Sequence, residues 1–580
     1  MSQVALSRVS DMPDVLSDYH PGVAFDEMVD AGGSVRPSYA AVHATLQQST
    51  PAELKGIAEA LASNYTQAGV TFDVGGVERP FPLDLVPRVI AAAEWETIEA
   101  GVAQRVRAME AFLDDVYSDA KVISDGVVPS QLITTSAHFH RVVWRLRPPN
   151  GVRIHVAGVD LIRTPEGDVR VLEDNFRVPS GVSYVMTNRT AMITALPDAF
   201  AHQRIRSVGD YPARLLQALR KASPVTDDPN IVVLTPGVYN SAYFEHTLLA
   251  RTMGVELVEG RALECRRGKV YMRTTAGLRR VDVIYRRLDD DFLDPVFFRS
   301  DSMLGVPGLV NAVRTGGVAL ANAIGNGVAD DKLIYTYVPD LIRYYLHEDP
   351  VIANVDTWRL EEDEAREEVL DRLDELVVKP VDGSGGKGIV IGPRATREEL
   401  DALRARVVAD PRGWIAQPVV QLSTVPTLID EALRPRHVDL RPFAVNSGDG
   451  IYVLPGGLTR VALPEGELVV NSSQGGGSKD TWVLSPAFPR LVEEPDEVEA
   501  ELRAGSGTPA GGVGAEPTEA PEPGPEPEAP PAAPARPVVP LLVGRPRVTV
   551  PSRTAGHRQQ EEQQQQAGAL RGDAEGGARR

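Results

Sequence analysis

The sequence predicts a multidomain protein of mixed α/β and α+β class. Two runs, 152–163 and 169–181, are rich in β-branched residues and enclose a TPEGD turn, which is typical of an antiparallel hairpin. From Ile231 the pattern becomes strand, helix, strand, which is typical of an open, largely parallel sheet. Residues 414–484 then form a block rich in predicted strands.

Composition and charge limit the possible functions. At 580 residues the chain is long enough for about three or four domains, and its net charge of -20 argues against nucleic-acid binding by the surface as a whole. A local basic groove for phosphates stays open. The single cysteine, Cys265, allows no intramolecular disulfide, and no apolar run is long enough to span a membrane. We therefore expect a cytoplasmic protein that needs no membrane.

Three oxygen-bearing side chains share one face of the predicted hairpin. If Thr164 pairs with Val169, then Asp160 pairs with Glu173, and Asn175 lies on the same face because side chains alternate along a strand. Two carboxylates this close repel each other unless a positive charge lies between them, and Mg²⁺ prefers oxygen ligands. We therefore predict that these three side chains hold Mg²⁺.

A cation follows this predicted metal site. Arg177 lies two residues after Asn175 and is followed by a PSG turn that contains Ser180. A guanidinium in this place suits a metal-bound triphosphate, which favours a metal site over the alternative of a solvated hairpin face. We predict that Arg177 acts in catalysis and that Ser180 lies near the substrate.

Residues 1–145 are predicted to be mainly helical and to form a packing or substrate-framing layer. The segment PAELKGIAEALASNY follows the capping residues Ser49 and Thr50, and residues 85–117 keep apolar side chains at helical spacing. His138 and His140 form an H-x-H pair without a third ligand nearby, so we interpret them as ordinary histidines.

Residues 229–328 are predicted to form the parallel α/β domain. Arg286 and Arg287 stand at the end of the predicted strand VDVIYRR. Polar residues at the carboxyl ends of such strands often line a site, so both are candidate substrate contacts. An internal pairing with Asp289, Asp290 and Asp291 is equally open.

Residues 329–484 carry the features expected of a phosphate site. Asp331 and Lys332 open a predicted helix, and the string GSGGKG formally matches G-x-G-x-x-G. A dinucleotide fingerprint must run into a helix, whereas here another strand follows, and no G-K-[ST] begins a helix as a Walker loop requires. We predict a glycine flap at a hairpin tip, above Lys379, that closes over phosphates through the backbone of Ser384, Gly385, Gly386, Lys387 and Gly388. A plain flexible hairpin is the alternative.

The last part of the chain divides into a β-rich block and a tail. Arg441 and Arg460 are candidate anion clamps, although either could be a surface strand residue and Asp439 could pair with Arg441. In residues 485–580, which hold 16 of the 46 prolines and no aromatic residue after Phe488, too little apolar surface is available for a core. This tail is predicted to be disordered.

The strings VLEDNFRVPSGVSYV, VADDKLIYTYVP, KPVDGSGGKGIVIGP and GGLTRVAL together resemble the circularly permuted ATP-grasp family of bacteria, a relative of glutathionylspermidine synthetase. The metal hairpin precedes the Asp-Lys helix and the flap, the reverse of the order in ordinary ATP-grasp enzymes. The resemblance implies a permuted segment with the metal hairpin at 146–228, a Rossmann-like pre-ATP-grasp domain at 229–328 and a nucleotide-binding segment at 329–484.

The resemblance also implies ATP and Mg²⁺ as cofactors. Lys332 and Lys379 would contact the phosphates under the flap, Gln417 would lie near the adenine hinge, and Arg177 would steady the transferring phosphoryl group. Glutathionylspermidine synthetase has an arginine just before its first metal aspartate, where this chain has Gly158 and Val159. Arg441 or Arg460 is expected to replace it.

The reaction implied by this resemblance is an ATP-dependent ligation. A small-molecule or peptide carboxylate would form an acyl phosphate, and an amine would displace phosphate to give an amide or peptide-like bond. The enzyme would act alone or with a partner protein. A phosphotransferase and a non-catalytic ATP-binding scaffold are the alternatives.

Overall fold

The computed structural model describes residues 14–74, 77–225, 227–381, 388–467, 470 and 476–486, and for 71–74 and 77–80 it describes the backbone alone. The predicted flap residues Ser384, Gly385, Gly386 and Lys387 lie outside the described residues, as does the predicted tail from residue 487 onward. The α-helices are Ala40–Leu46, Pro51–Gln67, Ala92–Val116, Lys121–Ser124, Ser130–Thr134, Val182–Ala195, Pro197–His202, Tyr211–Lys221, Tyr243–Met253, Asp290–Leu293, Leu309–Arg314, Lys332–Leu346, Asp363–Asp371 and Arg397–Ala409.

Two predicted N-terminal helices show how local and distant signals compete. Thr50 caps Pro51–Gln67 in a capping box with Glu53, as the sequence indicates. The helix expected from residue 85 begins only at Ala92, because Arg88–Ile90 forms a strand parallel to Thr481–Val483. Two further short strands, Thr71–Val74 and Val77–Pro80, pair with each other, so the N-terminal region is not purely helical.

Among the described residues, the largest sheet has eight strands and contains the predicted metal hairpin. Its order is Ile451–Val453, Phe443–Asn446, Val156–Arg163, Ala432–Arg441, Leu458–Val461 and Gly477–Lys479, with Val169–Asn175 beside Val156–Arg163 and Thr424–Ile429 beside Ala432–Arg441. The hairpin strand Val156–Arg163 is therefore central and buried along its whole length.

The hairpin register is correct at the site and wrong at the turn. Asp160 pairs with Glu173, as predicted, but Val169 pairs with Arg163 and not with Thr164. A β-bulge between these points places Leu172 as the extra residue on the second strand and restores the predicted register. Asn175 pairs with Gly158, so it lies on the same face as Glu173.

A second sheet is fully parallel, as the strand, helix, strand pattern predicts. Its order is Ala319–Ala321, Val283–Arg286, Ile231–Thr235 and Glu256–Glu259. The strand order reverses between Ile231–Thr235 and Val283–Arg286, which creates a crevice at their carboxyl ends. Between Glu256–Glu259 and Val283–Arg286, the chain forms a separate antiparallel sheet. Its strands are Leu263–Arg266, Lys269–Thr274 and Gly277–Val281.

A third sheet carries the predicted phosphate lysine, Lys379. It consists of Trp358–Arg359, Trp414–Pro418, Leu376–Pro380 and Val390–Ile391. Leu376–Pro380 and Val390–Ile391 are antiparallel neighbours, so residues 381–389 connect two strands of one hairpin. A separate small core lies between this sheet and its helices.

The largest core crosses the predicted boundary near residue 145. Trp95 and Phe112 from the long helix Ala92–Val116 belong to the same buried cluster as Val159 of the hairpin and Ile284 of the parallel sheet. The division of the chain into domains therefore stays a prediction. In the described ranges, no helix combines the length and the apolar character that crossing a membrane requires.

Candidate nucleotide site

Two arginines hold Asp160 on the central hairpin strand. Arg441 donates from Nε and Nη2 to the two carboxylate oxygens at 2.5 and 2.7 Å, and Arg460 donates from Nη2 at 2.8 Å. Arg460 also binds Asp439, its cross-strand partner. Burial alone would raise the pKa of Asp160, but the two guanidiniums lower it to about 2. The repulsion expected on this face is therefore offset by arginines of neighbouring strands.

Arg441 fills the space above Gly158. A Cβ atom at Gly158 would lie 3.1 Å from Cβ of Pro179 and 3.3 Å from Cδ of Arg441. The stem of Arg441 therefore lies over Gly158, one of the two residues before Asp160. That Arg441 or Arg460 serves in place of the family's arginine stays a prediction.

Glu173 and Asn175 are the more accessible members of the predicted metal set. The side chain of Glu173 is 31% exposed, and its Oε1 lies 3.8 Å from Nζ of Lys332. The side-chain Nδ2 of Asn175 is buried and has no hydrogen-bond partner within the described residues. This nitrogen only donates hydrogen bonds, so the amide oxygen of Asn175 is the candidate metal ligand.

The donor set suits Mg²⁺ bound together with a nucleotide. Asp160, Glu173 and Asn175 offer only oxygen ligands, and Mg²⁺ is commonly held by one or two carboxylates plus substrate phosphates. In the described part of the chain, no group of three or more His, Cys, Asp or Glu residues could hold a metal by itself. The residues fit a metal that phosphates help to bind. Asp160 accepts three hydrogen bonds from the arginines, so of its roughly four lone-pair sites the one left on Oδ1 would face the metal.

The predicted phosphate lysines meet this hairpin. Nζ of Lys332 lies 3.4 Å from the carbonyl oxygen of Val381, directly after the strand that carries Lys379. Burial lowers the pKa of Lys379 to about 8, and the carboxylate of Glu173 opposes this shift. Glu173 and Lys379 are about two hundred residues apart in sequence, but the fold brings both lysines near Glu173.

Gln417 lies beside Lys379 in the third sheet. Its Oε1 accepts a hydrogen bond from Lys379 Nζ at 2.5 Å, and its Nε2 donates to Thr357 at 2.9 Å. Gln417 is only 2% exposed, and both polar atoms of its side-chain amide have partners inside the protein. Gln417 therefore holds Lys379, and its place near the adenine hinge stays a prediction.

Gly388 is the predicted flap residue that the structure describes. It is exposed, has φ of 75°, and a Cβ atom there would lie 3.2 Å from Cγ of Pro380. Only glycine adopts this conformation without strain.

Arg177 points toward aspartates of the parallel-sheet region. Its Nε lies 3.4 Å from Asp289 and 3.6 Å from Asp330, and its Nη1 lies 3.5 Å from Nδ1 of His138. Asp330 accepts a hydrogen bond from Phe176 N at 2.6 Å, and burial raises the pKa of Asp330 to about 7. These contacts fix Arg177 beside the hairpin end, and its phosphoryl role stays a prediction.

Arg286 and Arg287 are buried and occupied. Arg286 donates to the carbonyl oxygens of Asn322, Leu288 and Ala323 and pairs with Asp290 at 2.8 Å. Arg287 donates to Pro179 O at 2.8 Å and to Glu245 at 2.9 Å. The two residues are 1% and 2% exposed, and their direct contact with substrate stays a prediction. The internal pairing considered for Arg286 is observed with Asp290.

Ser180 contacts the candidate site through its backbone carbonyl group. Its carbonyl oxygen accepts a hydrogen bond from Arg441 Nη1 at 3.3 Å. The turn after the hairpin therefore contacts the guanidinium that holds Asp160.

Sequence reasoning missed two residues that join the parallel sheet to the hairpin. Asn322 donates to the carbonyl oxygens of Val156 and Phe176 at 2.7 and 2.8 Å, and so binds the first hairpin strand and the residue directly after the second. Glu245 binds the turn at Gly181 at 2.7 Å. Neither residue stands in a local pattern that could have revealed it.

Comparison with known proteins identifies the family. The sequence pattern described as circularly permuted ATP-grasp type 2 matches residues 87–462. The chain belongs to this family. An uncharacterized protein of Mycobacterium tuberculosis is 63% identical over 473 residues, which covers 81% of this chain and 86% of that protein. One of Synechocystis sp. is 52% identical over 474 residues, covering 81% and 98%.

Two further similarities bear on this ATP-grasp protein. A protein of Frankia casuarinae named "Putative glutamate--cysteine ligase 2-2" is 46% identical over 476 residues, covering 81% of this chain and 55% of that protein. The structure of a glutathione synthetase-like effector from Globodera pallida has a TM-score of 0.51 at 12% identity, covering 75% of this chain and 98% of that one. The second likeness concerns the fold alone.

Proposed function

We propose that this protein is an ATP- and Mg²⁺-dependent ligase that joins a carboxylate to an amine through an acyl phosphate. The observation that carries the proposal is the meeting of Lys332 and Lys379 with Glu173, beside the Asp160 face held by Arg441 and Arg460. Such a set of cations and carboxylates suits a metal-bound triphosphate and the charge that develops during its attack. The family membership and the name of the Frankia relative support the ligase class.

In the proposed reaction, a carboxylate oxygen attacks the γ-phosphorus of ATP, and ADP leaves as the acyl phosphate forms. The amine nitrogen then attacks the acyl carbon, inorganic phosphate leaves, and the nitrogen loses a proton. Mg²⁺, held by Asp160, Glu173 and Asn175, would neutralise phosphate charge. Lys332 and Lys379 would bind the phosphates, and Arg441 and Arg460 would stabilise the charge of the transferring group.

Other residues complete the proposed site. The flap, residues 383–388, would keep water from the acyl phosphate. Arg177 would steady the transferring group from the side of the parallel sheet, and Ser180 would lie near the substrate. The boundaries 145, 228 and 328 would divide the protein into the helical, permuted, pre-ATP-grasp and nucleotide-binding segments.

The substrates in this proposal are a small-molecule or peptide carboxylate and an amine, in the cytoplasm. A partner protein is part of the proposal, since this chain spans 55% of the Frankia relative and that protein carries a further segment.

The test is ADP release by purified protein with Mg²⁺·ATP and mixtures of metabolite carboxylates and amines, followed by hydroxylamine trapping. A hydroxamate that forms only with ATP and a carboxylate supports the ligase. Phosphate transfer to a hydroxyl or histidine without hydroxamate would favour the phosphotransferase, and nucleotide binding without any turnover would favour the scaffold.

A further inference from the structure

The turn after the hairpin is held by a residue from the parallel-sheet region. Glu245, in the first turn of Tyr243–Met253, accepts hydrogen bonds from Gly181 N at 2.7 Å and from both N and Oγ of Ser183 at 3.1 Å. Gly181 is the residue before helix Val182–Ala195, whose first N–H groups have no partners inside the helix. Glu245 therefore caps this helix from outside.

The same carboxylate forms a buried ion pair with Arg287. The two groups lie 2.9 Å apart, and their side chains are 2% and 1% exposed. Arg287 also donates to the carbonyl oxygen of Pro179 at 2.8 Å. The pair thus holds the turn 179–181 at both of its ends. It lies at the switch point of the parallel sheet, where open α/β sheets usually bind a ligand.

The turn held in this way contacts Arg441. Ser180 O, between the two anchored residues, accepts from Arg441 Nη1 at 3.3 Å. Pro179 and Arg441 also both pack against Gly158, where an added Cβ atom would lie 3.1 and 3.3 Å from their side chains. Arg441 in turn binds both oxygens of Asp160. A continuous set of contacts therefore joins Glu245 to the phosphate side of the hairpin.

We infer that Glu245, together with Arg287, is a positioning residue that orients Arg441 toward the γ-phosphate of ATP. The inference rests on the proposed function. A guanidinium recognises phosphate through a planar fork of donors, so its contribution depends on a fixed orientation. The turn 179–181 supplies that fixation, and the buried pair keeps the turn in place.

The test measures nucleotide binding, which needs no knowledge of the substrates. Calorimetry compares Mg²⁺·ADP with the β,γ-imido analogue of Mg²⁺·ATP for the wild type, Glu245→Gln, Arg441→Ala and the double variant. Glutamine keeps an oxygen that can accept from the helix but loses the charge that pairs with Arg287. We expect Glu245→Gln to weaken analogue binding ~tenfold with ADP binding unchanged, and the double variant to bind the analogue no more weakly than Arg441→Ala.

Several results would overturn the inference. Unchanged analogue affinity in Glu245→Gln, an equal loss for both nucleotides, or additive losses in the double variant would each show that Glu245 does not act through Arg441. Glu256→Gln is the matched control, because Glu256 lies in the strand that follows the helix of Glu245, with its side chain 40% exposed and paired with exposed Arg279. It should leave both affinities unchanged.

A second variant covers the case in which Glu245→Gln does not fold. Arg287→Lys keeps the charge opposite Glu245 but loses the fork that also reaches Pro179, so the same selective loss is expected. Unchanged affinities in this variant would contradict the inference. A wild-type protein that binds neither nucleotide would refute the proposed function itself, whereas wild-type binding with insensitive variants refutes the positioning role alone.

Discussion

Glu173 and Asp160 face each other but differ in what surrounds them. The side chain of Asp160 is 4% exposed and bound by two arginines, whereas that of Glu173 is 31% exposed with Lys332 3.8 Å away. We predict that Glu173→Ala abolishes ATP turnover and leaves the fold intact, because it removes a partly exposed metal ligand while Lys332 keeps its bond to Val381 and Lys379 keeps its bond to Gln417. ADP release and the thermal unfolding midpoint measure the two effects.

Glu166 offers a matched control for this variant. It lies in the turn of the same hairpin and is exposed, so Glu166→Ala should have wild-type turnover. Turnover in Glu173→Ala with unchanged Mg²⁺ dependence would refute the metal assignment.

Lys379 gives ATP binding a predictable pH dependence. Burial lowers its pKa to about 8, so the free protein loses this charge as the pH rises through that value. Phosphates favour the protonated amine, and binding above this pH must therefore take up a proton. We predict that ATP affinity falls as the pH rises through about 8, as measured by calorimetry in buffers of different ionisation enthalpy.

The variant Lys379→Ala checks the origin of that dependence. It should bind ATP about one to two decades more weakly, from a lost charge-assisted contact of about 1.5–3 kcal/mol, and show no further weakening through this pH range. Removal of exposed Lys55, which pairs with Glu431 at the surface, should change neither affinity nor pH dependence. A variant that keeps the wild-type pH profile would show that another group titrates.

At the scale of single elements, local pattern predicts the metal hairpin well. The alternation of side chains gives the Asp160–Glu173 pair and the face of Asn175. The turn register is off by one residue, because the bulge at Leu172 adds a residue that alternation alone cannot reveal. The same limit explains the late start of helix Ala92–Val116, since the strand before it depends on a partner almost four hundred residues away.

The partners of the site arginines lie beyond local pattern for a similar reason. Arg441 reaches Asp160 and Arg287 reaches Glu245 only because elements distant in sequence become neighbours. The sequence indicated Arg441 and Arg460 as anion clamps, and the fold adds that both bind a carboxylate of the same site. Glu245, which has no local pattern, became visible only through its contacts.

The flap is the element whose motion the proposed reaction requires. Bulky residues in place of Gly385 and Gly386 should reduce turnover more than ATP affinity, because the loop must close over an intermediate that water destroys. Turnover and nucleotide affinity measured on the same samples test this. The corresponding change at Gly56, a helical glycine with nothing within 4 Å of an added Cβ, is the control. Equal losses of turnover and affinity would indicate a binding role alone.

At the scale of the whole molecule, the two ends of the folded region close on each other. Thr481–Val483 pairs with Arg88–Ile90, and Trp482 is fully buried in the core formed with the N-terminal helices. Lys479, which the sequence shows only as the end of a glycine-rich string, is fully buried and bound to Asp84. The C-terminal strand is therefore part of the fold that supports the site, and not of the tail.

Because the strand Thr481–Val483 belongs to the fold, truncation after it and truncation before it should have opposite effects. A chain ending at Pro486 keeps the strand and the hydrogen bond from Ser485 N to Arg204 O, so ATP turnover and cooperative unfolding should match those of the full chain. A chain ending at Lys479 loses Trp482, whose burial is worth about 3–5 kcal/mol, together with the pairing to Arg88–Ile90, and should unfold at a much lower temperature. Calorimetric unfolding and ADP release compare the two. Lost turnover in the longer chain would show that residues beyond Pro486 contribute to the site, and a stable shorter chain would show that closure by Thr481–Val483 is dispensable.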